Sequence, residues 1–61
     1  MIDAANMTLN EVLAKLGYRT EPAGHYNKDI VTKSGWVAFR GDANSVWQWL
    51  QETEQILPTI P

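Results

Sequence analysis

The residues that could carry chemistry are few in this chain, and their types and spacing assemble no reactive site. His25 is the one imidazole. A base of that kind works with an orienting acid and a nucleophile within hydrogen-bond reach. Asp29 lies further along, but an extended chain places it about 13 Å away. Tyr26 is adjacent and points the other way. There is no Cys, so no thiolate nucleophile, disulfide or thiolate metal site can form. One His cannot supply the several ligands a zinc centre needs.

The carboxylates are Asp3, Glu11, Glu21, Asp29, Asp42, Glu52 and Glu54. Glu11 and Asp42 sit at helix-capping positions, Asp29 falls opposite Arg40 in the strand register below, and Glu52 and Glu54 belong to a solvated helix end. None forms a pair for acid–base work or a calcium loop. The glycines lack the G-x-x-x-x-G-K spacing of a phosphate-binding loop. The expectation is a protein that binds and does not catalyse, with no cofactor, no metal and no small-molecule substrate.

Large aromatic surface is what the chain has in excess. Trp47 and Trp49 stand two positions apart on one helical stretch, about 200° round the axis, so both cannot face the same core. The apolar stripe claims Trp47. That leaves Trp49 on the flank, near Thr53 and Ile56. Trp36 falls on the outer face of a hairpin, beside Val31, Ala38 and Lys33. Trp is enriched among interface hot spots, and clustered exposed apolar residues mark recognition surfaces. The candidate contact residues are therefore Trp36 and Trp49, with Val31 and Ile56 beside them and Lys33 and Arg40 at the rim.

Local signals identify the elements that must position these residues. Thr8-x-x-Glu11 is a capping box, and Met7 with Val12 has the spacing of a hydrophobic staple. Leu9, Val12, Leu13 and Leu16 form one helical face. Gly17 stops that helix in the left-handed conformation. The spacing predicts a helix over 8–16. Lys28 to Lys33 and Trp36 to Arg40 are extended runs joined at Ser34-Gly35, a hairpin signal. A tight two-residue turn there sets Ile30 against Phe39, Thr32 against Val37, Val31 against Ala38, Lys33 against Trp36 and Asp29 against Arg40. Tyr18 to Glu21 allows a third strand. Asp42 caps a second helix predicted over 43–56, with Ala43, Val46, Trp47, Leu50 and Leu57 along one stripe and Pro58 as its stop.

The expected fold class is α+β: an N-terminal helix, an antiparallel hairpin extendable to three strands, and a C-terminal helix, with the helices packed on one face of the sheet. Residues 1–7 read as a loose leader, 8–57 as the single domain and 58–61 as a short tail. A chain of 61 residues makes one domain and buries only about 60% of its unfolded surface. With no disulfide or metal, its stability must come from close packing or from a second copy of itself.

Charge narrows the partners. The net charge of -2 argues against a broad grip on nucleic-acid phosphates, which needs a basic face. Lys28, Lys33 and Arg40 do collect in the hairpin near Tyr26 and Trp36, which keeps a small nucleic-acid-binding regulator as the second expectation. No apolar run approaches a membrane span and no signal-peptide pattern is present, so a cytoplasmic location is expected. Size and composition suit a phage or mobile-element accessory protein. The first expectation is a small protein-binding module of the adaptor or inhibitor type, acting as a homodimer.

Overall fold

The computed structural model describes residues 2–57. Helix α1 spans Leu9–Leu16, strand β1 Arg19–Pro22, strand β2 Lys28–Val31, strand β3 Val37–Gly41 and helix α2 Ala43–Glu52. The three strands form one antiparallel sheet in the order β1-β2-β3. The architecture is α+β, and the extended segment after Gly17 does form the third strand.

Helix α1 begins where its sequence says it should. The Glu11 amide donates to Thr8 Oγ1 at 3.2 Å, and the Thr8 amide donates to Glu11 Oε1 at 2.8 Å. The box satisfies two amides that would otherwise lack partners at the helix start. At the other end Gly17 has φ 93°. Its amide donates to the Ala14 carbonyl at 3.1 Å and the Tyr18 amide to the Leu13 carbonyl at 2.9 Å, the paired bonds of a Schellman motif.

Helix α2 starts at the expected cap, with the Ser45 amide donating to Asp42 Oδ1 at 2.8 Å. It ends at Glu52, short of the predicted Ile56. Glu54 has φ 58°, its amide donates to the Gln51 carbonyl at 3.0 Å, and the Gln55 amide donates to the Leu50 carbonyl at 2.9 Å. This is the same Schellman closure as in α1, made by a glutamate where glycine is usual. The apolar periodicity runs on to Leu57, but the turn at Glu54 takes the chain off the helix axis.

That turn gives Ile56 a different task. Ile2 and Ile56 form a parallel β-bridge. The Ile2 amide donates to the Gln55 carbonyl at 3.3 Å, and the Leu57 amide donates to the Ile2 carbonyl at 2.8 Å. Ala4 is buried, and Met7 packs on the core. Residues 2–7 are therefore not a loose leader but part of the packed structure. The predicted tail at 58–61 lies outside the described residues.

One buried cluster joins these parts. It contains Ala4, Leu9, Val12, Leu13, Ile30, Val46, Leu50 and Ile56. Ile30, on the middle strand, and Val46 and Leu50, on α2, are fully buried. Each such side chain contributes about 1.5–3 kcal/mol relative to exposure. Truncating one to Ala costs about 2–5 kcal/mol, comparable with what the whole core of so small a domain supplies.

The hairpin keeps its predicted register only up to Phe39. Asp29 faces Arg40 and Ile30 faces Phe39, but Val31 faces Val37, with a bulge between. The loop has three residues, Lys33 to Gly35, because the Thr32 amide donates to the Trp36 carbonyl at 2.9 Å and Gly35 closes the turn at φ 92°. Left-handed glycine in third place is the usual solution for such a loop. Ala38 is the extra residue. It absorbs one step of the alternation. The expected pairs Val31–Ala38, Thr32–Val37 and Lys33–Trp36 therefore do not form.

Candidate functional site

The bulge decides which apolar residues reach solvent. Beyond it, Val37 is 44% exposed and Trp36 61% exposed. The two are adjacent at the start of β3, beside the Lys33–Gly35 loop. Trp36 is held through its backbone: its carbonyl accepts from Thr32, and its amide donates to Thr32 Oγ1 at 3.4 Å. Its ring takes part in none of the aromatic contacts within the described residues.

Trp49 behaves otherwise. Its ring stacks on Phe39, with centroids 5.0 Å apart and planes inclined by 10°. It also meets Tyr18 at 5.6 Å in a tilted arrangement. Offset and tilted aromatic pairs of this kind are worth about 0.5–1.5 kcal/mol beyond their buried area. Trp49 is thus half-buried and committed to the fold, and Trp47 likewise packs on the core. The expectation of Trp49 as a free anchor is corrected: Phe39 of β3 and Tyr18, in the turn between α1 and β1, supply the two rings that cover it.

Val31 and Ile56 are corrected too. Val31 is buried, and so is Ile56. Neither offers surface to a partner. Val31 lies between Arg19 and Val37 in the sheet register, and Ile56 is held by the bridge to Ile2.

The rim charges divide. Arg40 pairs with Asp29 across the sheet, through Nε on Oδ1 and Nη2 on Oδ2, the latter at 3.0 Å. Hydrogen bonding from Arg40 holds the Asp29 carboxyl below the usual carboxylate range. Arg19 pairs with Glu21 at 3.1 Å. Register puts Arg19, Glu21, Asp29 and Arg40 on one sheet face, and the two pairs leave that face neutral. Lys33 is exposed on the loop, its aliphatic stem lying over the α1 C-terminus. A Cβ built at Gly17 would stand 2.7 Å from Lys33 Cε.

Two further features carried little sequence signal. Tyr26 is 97% exposed at the β1–β2 tip. Gly24, His25 and Tyr26 all have positive φ, 79°, 50° and 64°, and the Asn27 amide donates to the Gly24 carbonyl at 2.8 Å. His25 and Tyr26 thus occupy a turn that favours Asn and Gly. The second is a groove of about 240 Å³ bordered by β3 and α2, lined by Phe39, Ser45, Gln48, Trp49 and Glu52. The four α2 residues follow the i, i+3, i+4, i+7 spacing of a second helical stripe.

Among the described residues no group of three or more His, Cys, Asp or Glu side chains could hold a metal ion, and no helix is long and apolar enough to cross a membrane. No protein-family profile, curated protein or solved structure matches the chain.

Proposed function

We propose that this chain is a small protein-binding module whose contact surface centres on Trp36 and Val37, with Lys33 at its rim. One observation carries the reading. Of the three indoles, those of Trp47 and Trp49 are packed onto the core, whereas Trp36 stands 61% exposed beside an exposed valine. An indole left in water keeps its transfer free energy in reserve for a partner, and Trp is among the residues that most often dominate such contacts. The partner is either another protein or a second copy of the chain, related by a two-fold axis through this patch.

The nucleic-acid alternative finds less support. Arg19 and Arg40 are both neutralised by carboxylates on their own sheet face. Lys28 shares a register row with Pro22 and Gly41, at the end of the sheet away from Lys33. No basic face is assembled for phosphates.

The test compares the native chain with Trp36→Ala. Sedimentation over a wide concentration range reads self-association. Capture from native cell extract, with the variant as matched control, reads a distinct partner. The expected result is loss of the association in the variant with an unchanged urea midpoint. A variant that keeps every associated species overturns the reading. An association that weakens steeply with salt selects the nucleic-acid alternative.

A further inference from the structure

We infer that the free edge of β3, together with the groove beside α2, accepts an extended basic segment of another protein as a fourth strand. This rests on the protein-binding reading and adds the form and charge of the partner. The strand order leaves two edges, β1 and β3. They are built differently. Strand β1 reads Arg-Thr-Glu-Pro and is exposed throughout; charges and a proline, which has no amide to donate, are the usual guards of an edge. Strand β3 reads Val-Ala-Phe-Arg-Gly. It has no proline, its one charge is engaged by Asp29, and the exposed pair Trp36–Val37 leads into it.

The bulge at Ala38 confines regular pairing to Phe39–Gly41. Phe39 of that stretch lines the groove. An added strand there would form main-chain hydrogen bonds with β3 and set alternate side chains against the groove, the general logic of strand addition. The groove's lining includes the stacked Phe39 and Trp49 rings, which suit an apolar side chain. Glu52 is the one acidic residue, and there is no basic one, among its five lining residues, so it suits a basic side chain. A second copy of this chain is the poorer occupant. It is acidic overall, at -2, and its own arginines are already paired.

The test uses the full chain, isotope-labelled, and two synthetic octapeptides of alternating Val and Lys or alternating Val and Glu. The Val–Lys peptide is expected to shift the amides of Phe39, Arg40 and Gly41 and the Trp49 indole N–H, and to slow hydrogen exchange along β3. Methylating its alternate backbone nitrogens on the pairing edge abolishes these shifts. Glu52→Gln, which keeps the acceptor for the Gln48 side-chain amide, weakens binding about twofold to fivefold, the size of one exposed ion pair. Equal binding of the Val–Glu peptide, shifts confined to β1 or the Tyr26 tip, or no shift at millimolar peptide overturns the inference. So do β3 shifts that depend on protein concentration without peptide, which give the edge to a second copy. Each of these leaves the Trp36→Ala comparison intact, so strand addition can fail while the protein-binding reading stands.

Discussion

The Tyr18 hydroxyl donates to Gln55 Oε1 at 2.8 Å, and these two residues occupy the same place in two different helix endings. Each follows the left-handed residue that closes its helix, Gly17 for α1 and Glu54 for α2. The bond therefore ties one Schellman turn to the other, where no backbone pairing joins the two helices. Tyr18 also lends its ring to Trp49, so one side chain serves both the helix ends and the aromatic cluster.

Removing only that hydroxyl, with Tyr18→Phe, is expected to cost about 0.5–1.5 kcal/mol, the net worth of one intramolecular hydrogen bond. Urea unfolding with an unchanged slope reads it. A midpoint identical to the native chain's would show that water replaces the bond without loss.

Glu54 is expected to be a poor choice for its own conformation. Its φ of 58° costs a residue with a Cβ about 1 kcal/mol, and glycine very little. Glu54→Gly should therefore stabilise the domain by about that amount. Gly17→Ala should do the opposite, through the same backbone strain and the close approach of Lys33 Cε. A thermal melt of the two variants gives the signs directly.

Ile56→Ala is expected to cost about 2–5 kcal/mol, because the side chain is 1% exposed within the core cluster. For a domain this small such a loss is largely unfolding, visible by circular dichroism. Trp36→Ala is the contrast: an exposed position, where the change should stay within about 0.5 kcal/mol. Reversed magnitudes would assign the contact role to Ile56 after all.

Acid should loosen the fold through its capped and paired carboxylates. The amide of Ser45 holds Asp42, that of Thr8 holds Glu11, and the Arg40 guanidinium holds Asp29, each below its ordinary pKa. A depressed folded-state pKa gives stability that is complete above the unfolded value of about 4 and is lost as pH falls through the folded one. Stability should therefore decline below about pH 4. Asp42→Asn keeps a capping acceptor without the charge, so its melting temperature should fall less on acidification. Parallel pH profiles would remove Asp42 from this account.

The parts of the fold readable from sequence are those decided within a few residues. The Thr8–Glu11 box, the Gly17 stop and the Asp42 cap each need only near neighbours. The pairing of Ile30 with Phe39 matches the expected register only because the extra strand residue Ala38 offsets the extra loop residue. The loop length was not readable, because Ser34-Gly35 suits a two-residue turn as well as the end of a three-residue one. That single ambiguity assigned Val37 to the face of Ile30, whereas its pairing with Val31 puts it on the face of Arg19 and Asp29. The Ile2–Ile56 bridge has no local signature at either end, since each segment is shaped by the other. The setting of Trp49 is illegible in the sequence for a related reason. Periodicity can assign only one of two indoles to the α2 stripe, and the rings that shelter the second come from β3 and from the turn after α1. Of the expected apolar contact residues Trp36 alone remains exposed, with Lys33 and Arg40 exposed at the expected rim.

The parallel pairing of Ile2 with Ile56 has a topological consequence. The first and last described stretches run side by side in the same direction, so a joint from Leu57 back to Ile2 would have to double back along the pair to close the backbone into a ring. New ends could then be cut at the solvent-facing Ser34-Gly35 turn.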